Sequence, residues 1–195
     1  TDPASPPVID AGGLFRVMLI AEGPSVYITG VVVQNGDAGG NTGGGISNSG
    51  RLSLDKVTVR NNTAGGPGGG ILNRPGGTLS VMDSLVTENS AFASGGIRNL
   101  GTAFIKNSII SNNTTGTTQP CDGGGIDNNG GGVLTIEGSI VSGNFAQHGG
   151  GISNDGGIMT IIDTLVVGNR AGWDGGGILN VSVSELTITN SIISD

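Results

Sequence analysis

A Gly-Gly-Gly-Ile motif returns along this chain about every 26 residues, and no other feature so narrows what the chain can fold into. Its isoleucines are Ile46, Ile71, Ile126, Ile152 and Ile178; Ser94-Gly95-Gly96-Ile97 fills the one gap, so the spacings are 25, 26, 29, 26 and 26 residues. Two positions after each isoleucine stands an asparagine: Asn48, Asn73, Asn99, Asn128, Asn154 and Asn180. A fixed period in this range marks repeat architectures, in which one unit cannot bury its apolar side alone and must be completed by its neighbours.

Inside each unit the apolar residues alternate with period two. The second unit carries Leu79, Val81, Ser84, Val86 and Asn89; the fourth carries Leu134, Ile136, Ser139, Val141 and Asn144 at equivalent places. Such alternation predicts short strands with one buried face. Between the first and second strand of this pattern stand Lys56, Asp83, Asn107, Gly138, Asp163 and Asn190, mostly residues that tolerate left-handed turn geometry. Three short strands per unit describe one coil, and coils stack at ~4.8 Å with parallel pairing. The expected fold is therefore all-β, a right-handed parallel β-helix of about seven to eight coils.

Residues 1–195 read as a single domain, with N-terminal coils over 1–42 and the six repeats over 43–195. Val26, Ile28, Val31 and Val33 belong to a seventh coil; Phe15, Val17 and Leu19 are assigned to an eighth. Length changes between units are absorbed just before the glycines, the longest at Gly116 to Asp122. The chain stops part-way through a unit, at Ile192-Ile193-Ser194-Asp195, so a piece of a longer protein is expected. An asparagine repeated at one inward turn can hydrogen-bond its own image in the next coil, which satisfies polar groups that burial would otherwise strand. The triple glycines suit a tight corner where no Cβ fits.

Composition supports this and excludes other classes. With 40 glycines and 3% aromatic residues, the apolar mass is Ile, Val and Leu, which are strand formers. No three-residue period points to collagen, and regular β-branched blocks argue against disorder. The net charge is −7 with only eight Lys plus Arg, so no basic surface is available for nucleic acid. No apolar run approaches the ~20 residues of a helical membrane span. The single cysteine, Cys121, makes no internal disulfide, and the start Thr1-Asp2-Pro3-Ala4-Ser5-Pro6-Pro7 lacks the features of a secretion signal.

Gly-Gly-Gly-Ile-x-Asn followed by Leu-x-Ile, Ser-x-Val and Asn resembles the repeats of bacterial surface proteins of the polymorphic outer-membrane-protein type, a branch of the pectin-lyase-like fold. The resemblance covers about residues 8 to 195. Val86 to Asn89 and Ile110 to Asn113 stand where that family has Phe-x-x-Asn, so the phenylalanine is missing. The likeness implies secretion or display on the cell envelope, and a structural or adhesive role. Expected partners are another protein, a second copy or a surface glycan, with no cofactor.

Three surface features bear on chemistry. A lyase or hydrolase of this architecture needs clustered carboxylates, or a calcium site beside a basic residue, on one outward face. The outward positions read Ser53, Ser80, Phe104, Thr135, Thr160, Thr187 and Asp55, Met82, Lys106, Glu137, Ile162, Thr189, in which acids are isolated; no catalytic or metal residue is assigned. The loops before the glycines place Asp122, His148, Trp173 and Asp174 at equivalent points of three coils, a possible metal or sugar site or simply solvated loop. Finally Leu85, Ile109, Ile140, Leu165 and Ile192 form a ladder that points outward by alternation and would mark an interface; a turn displaced by one residue would instead bury it. A Thr-x-Thr array of the ice-binding kind is met only at Thr187-Ile188-Thr189.

Overall fold

The computed structural model describes residues 5–116 and 122–194. It is a parallel β-solenoid of about seven turns. Four sheets run along it. The first holds seven strands, from Met18–Ile20 to Ile178–Val181, of which the last six carry Ile-x-Asn. The second has seven strands of five residues, from Ser25–Thr29 to Glu185–Thr189, and the third has eight of three residues, from Val8–Asp10 to Ile192–Ser194.

The fourth sheet, of five strands from Thr63–Ala64 to Arg170–Asp174, corrects the expectation of three strands per coil. Its members Thr63–Ala64, Ser90–Ala91 and Thr114–Thr115 are two residues long, too short for any periodicity to show. Every pairing between strands is parallel, and most are strictly in register: Leu52, Leu79, Ala103, Leu134 and Met159 follow one another along one row.

The core is a set of such rows. Ile46, Ile71, Ile97, Ile126 and Ile152 are all fully buried, as are Leu54, Val81, Ile105, Ile136 and Ile161 on the second sheet. The turn between second and third sheets is set by backbone sign: Lys56, Asp83, Asn107, Asp163 and Asn190 have φ between 46° and 54°, and Gly138 has φ 56°. Each of these residues reverses the face so that the next strand again points β-branched side chains inward.

Three polar rows run through the interior. In the first, the Nδ2 of Asn48 donates to Oδ1 of Asn73, and the chain continues through Asn99, Asn128 and Asn154 to Asn180 at 2.7–2.8 Å per step. The second links Asn62, Asn89, Asn113, Asn144 and Asn169 at 2.9–3.0 Å, and each of the last four also accepts the backbone N–H of the asparagine before it. In the third, the hydroxyls of Ser84, Ser108, Ser139, Thr164 and Ser191 each accept a backbone N–H from the preceding coil at 3.0–3.3 Å. Buried turns that would strand backbone donors are thus closed by side chains of the next rung.

The glycine corner is steric as well as conformational. Its first residue takes a positive φ, 79° at Gly68 and 58° at Ser94, where serine replaces glycine. A Cβ on its third residue, Gly70, would stand 2.7 Å from the carbonyl oxygen of Gly96, so the corners can stack only without side chains.

At the N-terminal end the strand Met18–Ile20 pairs as Met18 with Ile46 and Ile20 with Asn48. That register turns Met18 and Ile20 inward and leaves Phe15 and Leu19 at 74% and 64% exposure. Of Phe15, Val17 and Leu19, the three residues expected in an eighth coil, Val17 packs against the core while Phe15 and Leu19 lie on the surface, because the strand's pairing puts Met18 and Ile20, not Leu19, on the inward face. No helix among the described residues is long and apolar enough to cross a membrane.

Candidate functional site

Outside the first sheet, the segments leading into the glycine corners form a roof. Their own backbones are stacked by hydrogen bonds, from Gly68 N to Ala93 O, Ser94 N to Asp122 O, Gly123 N to His148 O and Gly149 N to Asp174 O. The roof covers the x residues of Gly-Gly-Gly-Ile-x-Asn: a Cβ at Gly123 would lie 2.5 Å from that of Asp127. Residues that alternation sends to solvent are therefore sealed. Ser47, Asp127 and Ser153 are fully buried and Leu72 nearly so.

On the roof, Asp122, His148 and Asp174 occupy successive rungs, Asp122 bridging to His148 and His148 in register with Asp174. Nδ1 of His148 stands 3.4 Å from Oδ2 of Asp174. The Trp173 ring meets His148 edge to face, centroids 5.0 Å apart, and is 65% exposed. Partial burial pushes the Asp122 carboxyl above its ordinary range, and His148 partly offsets this. Cys121, the neighbour of Asp122, lies outside the described residues.

The row has the wrong shape for a metal. Residues two rungs apart are separated by about 10 Å, whereas donors on one ion sit ~2.0–2.6 Å from it. Among the described residues no three His, Cys, Asp or Glu side chains converge as a metal requires. The row presents Asp122, His148 and Asp174 on successive rungs with the Trp173 indole at its edge.

Under the roof is a cluster that sequence reading missed. Asp127 Oδ2 is 2.9 Å from Nη1 of Arg98 and accepts from the Ser94 hydroxyl at 2.8 Å. Its other oxygen, Oδ1, meets no partner among the described residues, and neither does the Ser153 hydroxyl on the next rung. Burial drives the Asp127 carboxyl up to about 6, against the pull of Arg98 and Ser94. The one signal in the sequence is the x position itself, where Leu72, Arg98, Asp127 and Ser153 succeed one another; alternation by itself would send them to solvent.

The chain matches no protein family, no curated protein and no solved structure.

The outward positions of the second sheet are occupied by local pairs. Asp55 accepts from the Tyr27 hydroxyl at 3.0 Å, and Lys106 contacts Glu137 at 2.7 Å. On the third sheet Ile109, Leu165 and Ile192 are 42%, 38% and 57% exposed, Leu85 and Ile140 are half-buried, and the alternating Val86, Ile110, Val141 and Val166 are fully buried. Leu85 and its row therefore face out of the coil, not into it.

Proposed function

We propose that this chain is a stiff rod-like module of a secreted or surface-displayed protein, whose work is to hold side faces in place for a partner. The observation that carries the reading is the unbroken asparagine ladder from Asn48 to Asn180: it joins six successive coils through largely buried side-chain bonds, which favours rigidity over hinge motion. The resemblance of the repeats to bacterial surface proteins of the polymorphic outer-membrane-protein type, with their pectin-lyase-like fold, supports placement at the cell exterior. The outward row of Leu85 and Ile109 and the strip around Trp173 are the faces on offer, to a protein, another copy or a surface glycan.

An antibody to the chain tests the placement on intact and permeabilised cells of its source. Equal labelling is expected; labelling only after permeabilisation would reject display. A second reading, a carbohydrate-active lyase or hydrolase, draws on exposed Trp173 beside His148 and Asp174. Incubation with polyuronides, with and without calcium, separates the two: release of unsaturated or reducing ends is expected only from an enzyme.

A further inference from the structure

A recess opens on the outer face of the second sheet, near the N-terminal end of the stack. Successive rungs set Tyr27, Ser53, Ser80 and Phe104 in one outward column, so two small side chains stand between two aromatic ones whose backbones lie about 14 Å apart. Ser25, Arg51 and Thr78 run beside them in the next column. Ser25, Tyr27, Arg51, Ser53, Thr78 and Ser80 together line a cleft of about 290 Å³. It lies on a different face from the Leu85 row and from Trp173.

Two of its walls bear on a ligand. The Tyr27 ring is 64% exposed and yet fixed: its hydroxyl donates to Oδ2 of Asp55 on the next rung at 3.0 Å, and the Thr29 hydroxyl meets the same oxygen at 3.4 Å. An aromatic face is thus held out in water with little freedom left to lose on binding. Arg51 is exposed, and no acid pairs with it among the described residues. Asp55 sits at the far end of the same strand, about 13 Å along the backbone, and is engaged by Tyr27 and Thr29. Glu22, also exposed, shares a neighbouring depression with Arg51.

We propose that the cleft binds a single aromatic ring bearing a carboxylate, the ring stacked on Tyr27 and the acid held by Arg51. Size sets the single ring, since the cleft lies just under the ~300–1,000 Å³ of ordinary small-molecule sites. Its walls are mostly carbon, which favours a flat apolar ring over a sugar, whose rim of hydroxyls would be dried without partners. The net charge of −7 and the nearby Glu22 both oppose an anion, so the attraction comes from direct, forked contact with the Arg51 guanidinium.

The chain has one tyrosine and one tryptophan, so ring NMR signals of the whole chain report Tyr27 and Trp173 separately. Benzoate should shift the Tyr27 ring and leave Trp173 still, with a Kd on the order of 1 mM. Benzamide, which keeps the ring and loses the charge, and glucuronate, which keeps the charge and loses the aromatic ring, should each bind about 10-fold more weakly. Tyr27→Ala and Arg51→Gln should weaken benzoate by a similar factor, read by saturation transfer to the ligand, without moving the thermal transition; Glu22→Gln should tighten it about 2-fold. Acetyl-glycyl-phenylalanine carries the same groups at a chain end: tighter binding than benzoate assigns the ligand to a peptide C-terminus, weaker binding to a free aromatic acid. No Tyr27 shift at about ten times the expected Kd, glucuronate binding tighter than benzoate, a shift at Trp173 alone, or full benzoate binding by Arg51→Gln would each overturn the proposal. The surface-rod reading is decided separately, by cell labelling.

Discussion

Asp127 and Arg98 face each other across neighbouring rungs beneath the glycine roof, 2.9 Å apart, with the carboxylate fully buried and the guanidinium partly open to water. The pair neutralises the charge without repaying its desolvation, because one carboxylate oxygen stays unbonded. Loss of water outweighs attraction, and the carboxyl sits at about 6 rather than near 4.

A raised carboxyl means that the folded state binds this proton more tightly than the unfolded one. The contribution is fully present below the unfolded value near 4 and is lost as pH rises through about 6. The wild type should therefore be more stable near pH 5 than near pH 7 by about 1 kcal/mol from this group, out of about 3 kcal/mol across the full window from below pH 4 to pH 7. Asp122, raised for the same reason, adds in the same direction. Urea unfolding across this range checks the effect, and Asp127→Asn should flatten most of it; an unchanged slope in that variant would remove Asp127 as the cause.

Asn99→Ala cuts the first ladder in its interior. It strips the acceptor from Asn73 and the donor from Asn128, both fully buried, and should cost about 2–3 kcal/mol. Asn180→Ala, at the exposed end of the same ladder, should cost less than about 1 kcal/mol. Equal losses in denaturant titrations would show that the ladder is not a continuous buried element.

Ile105→Ala opens a cavity in a row where Val81 and Ile136 pack above and below. A loss of about 3–5 kcal/mol is expected. Ile188, the last of that row and 41% exposed, should lose about half as much or less on the same change, as read by thermal unfolding.

Lys56 holds φ 54° at a turn where glycine serves as Gly138 with φ 56°. Left-handed geometry costs a side-chain-bearing residue roughly 1–2 kcal/mol, and glycine gives back about 0.5–1 in unfolded-state entropy. Lys56→Gly should stabilise by about 0.5–1 kcal/mol, visible as a higher urea midpoint at constant m-value; a lower midpoint would mean that the lysine stem packs on the coil.

Much of this molecule was written in its repeat. The period, the inward rows such as Leu79 and Val81, the asparagine ladder and the left-handed turns at Asp83 and Asn107 could all be read, because each recurs unit after unit and a stack of parallel strands has few ways to use such recurrence. Features without recurrence were lost. Two-residue strands such as Ser90–Ala91 carry no period, and the register of Met18 with Ile46 depends on pairing rather than on local pattern.

The roof is the clearest case. Alternation correctly turns Asp127 and Ser153 away from the core, and whether an outward side chain meets water depends on what else folds over it. That is a long-range packing fact: the loop containing Gly123 closes over Asp127 only once the coils are stacked, and its burial, raised carboxyl and pairing with Arg98 all follow from a covering that no stretch of sequence displays. The fold could be read in the chain because periodic local preferences all agree on it; the environment of its buried charge could not, because dielectric and partners are set by residues brought together in space.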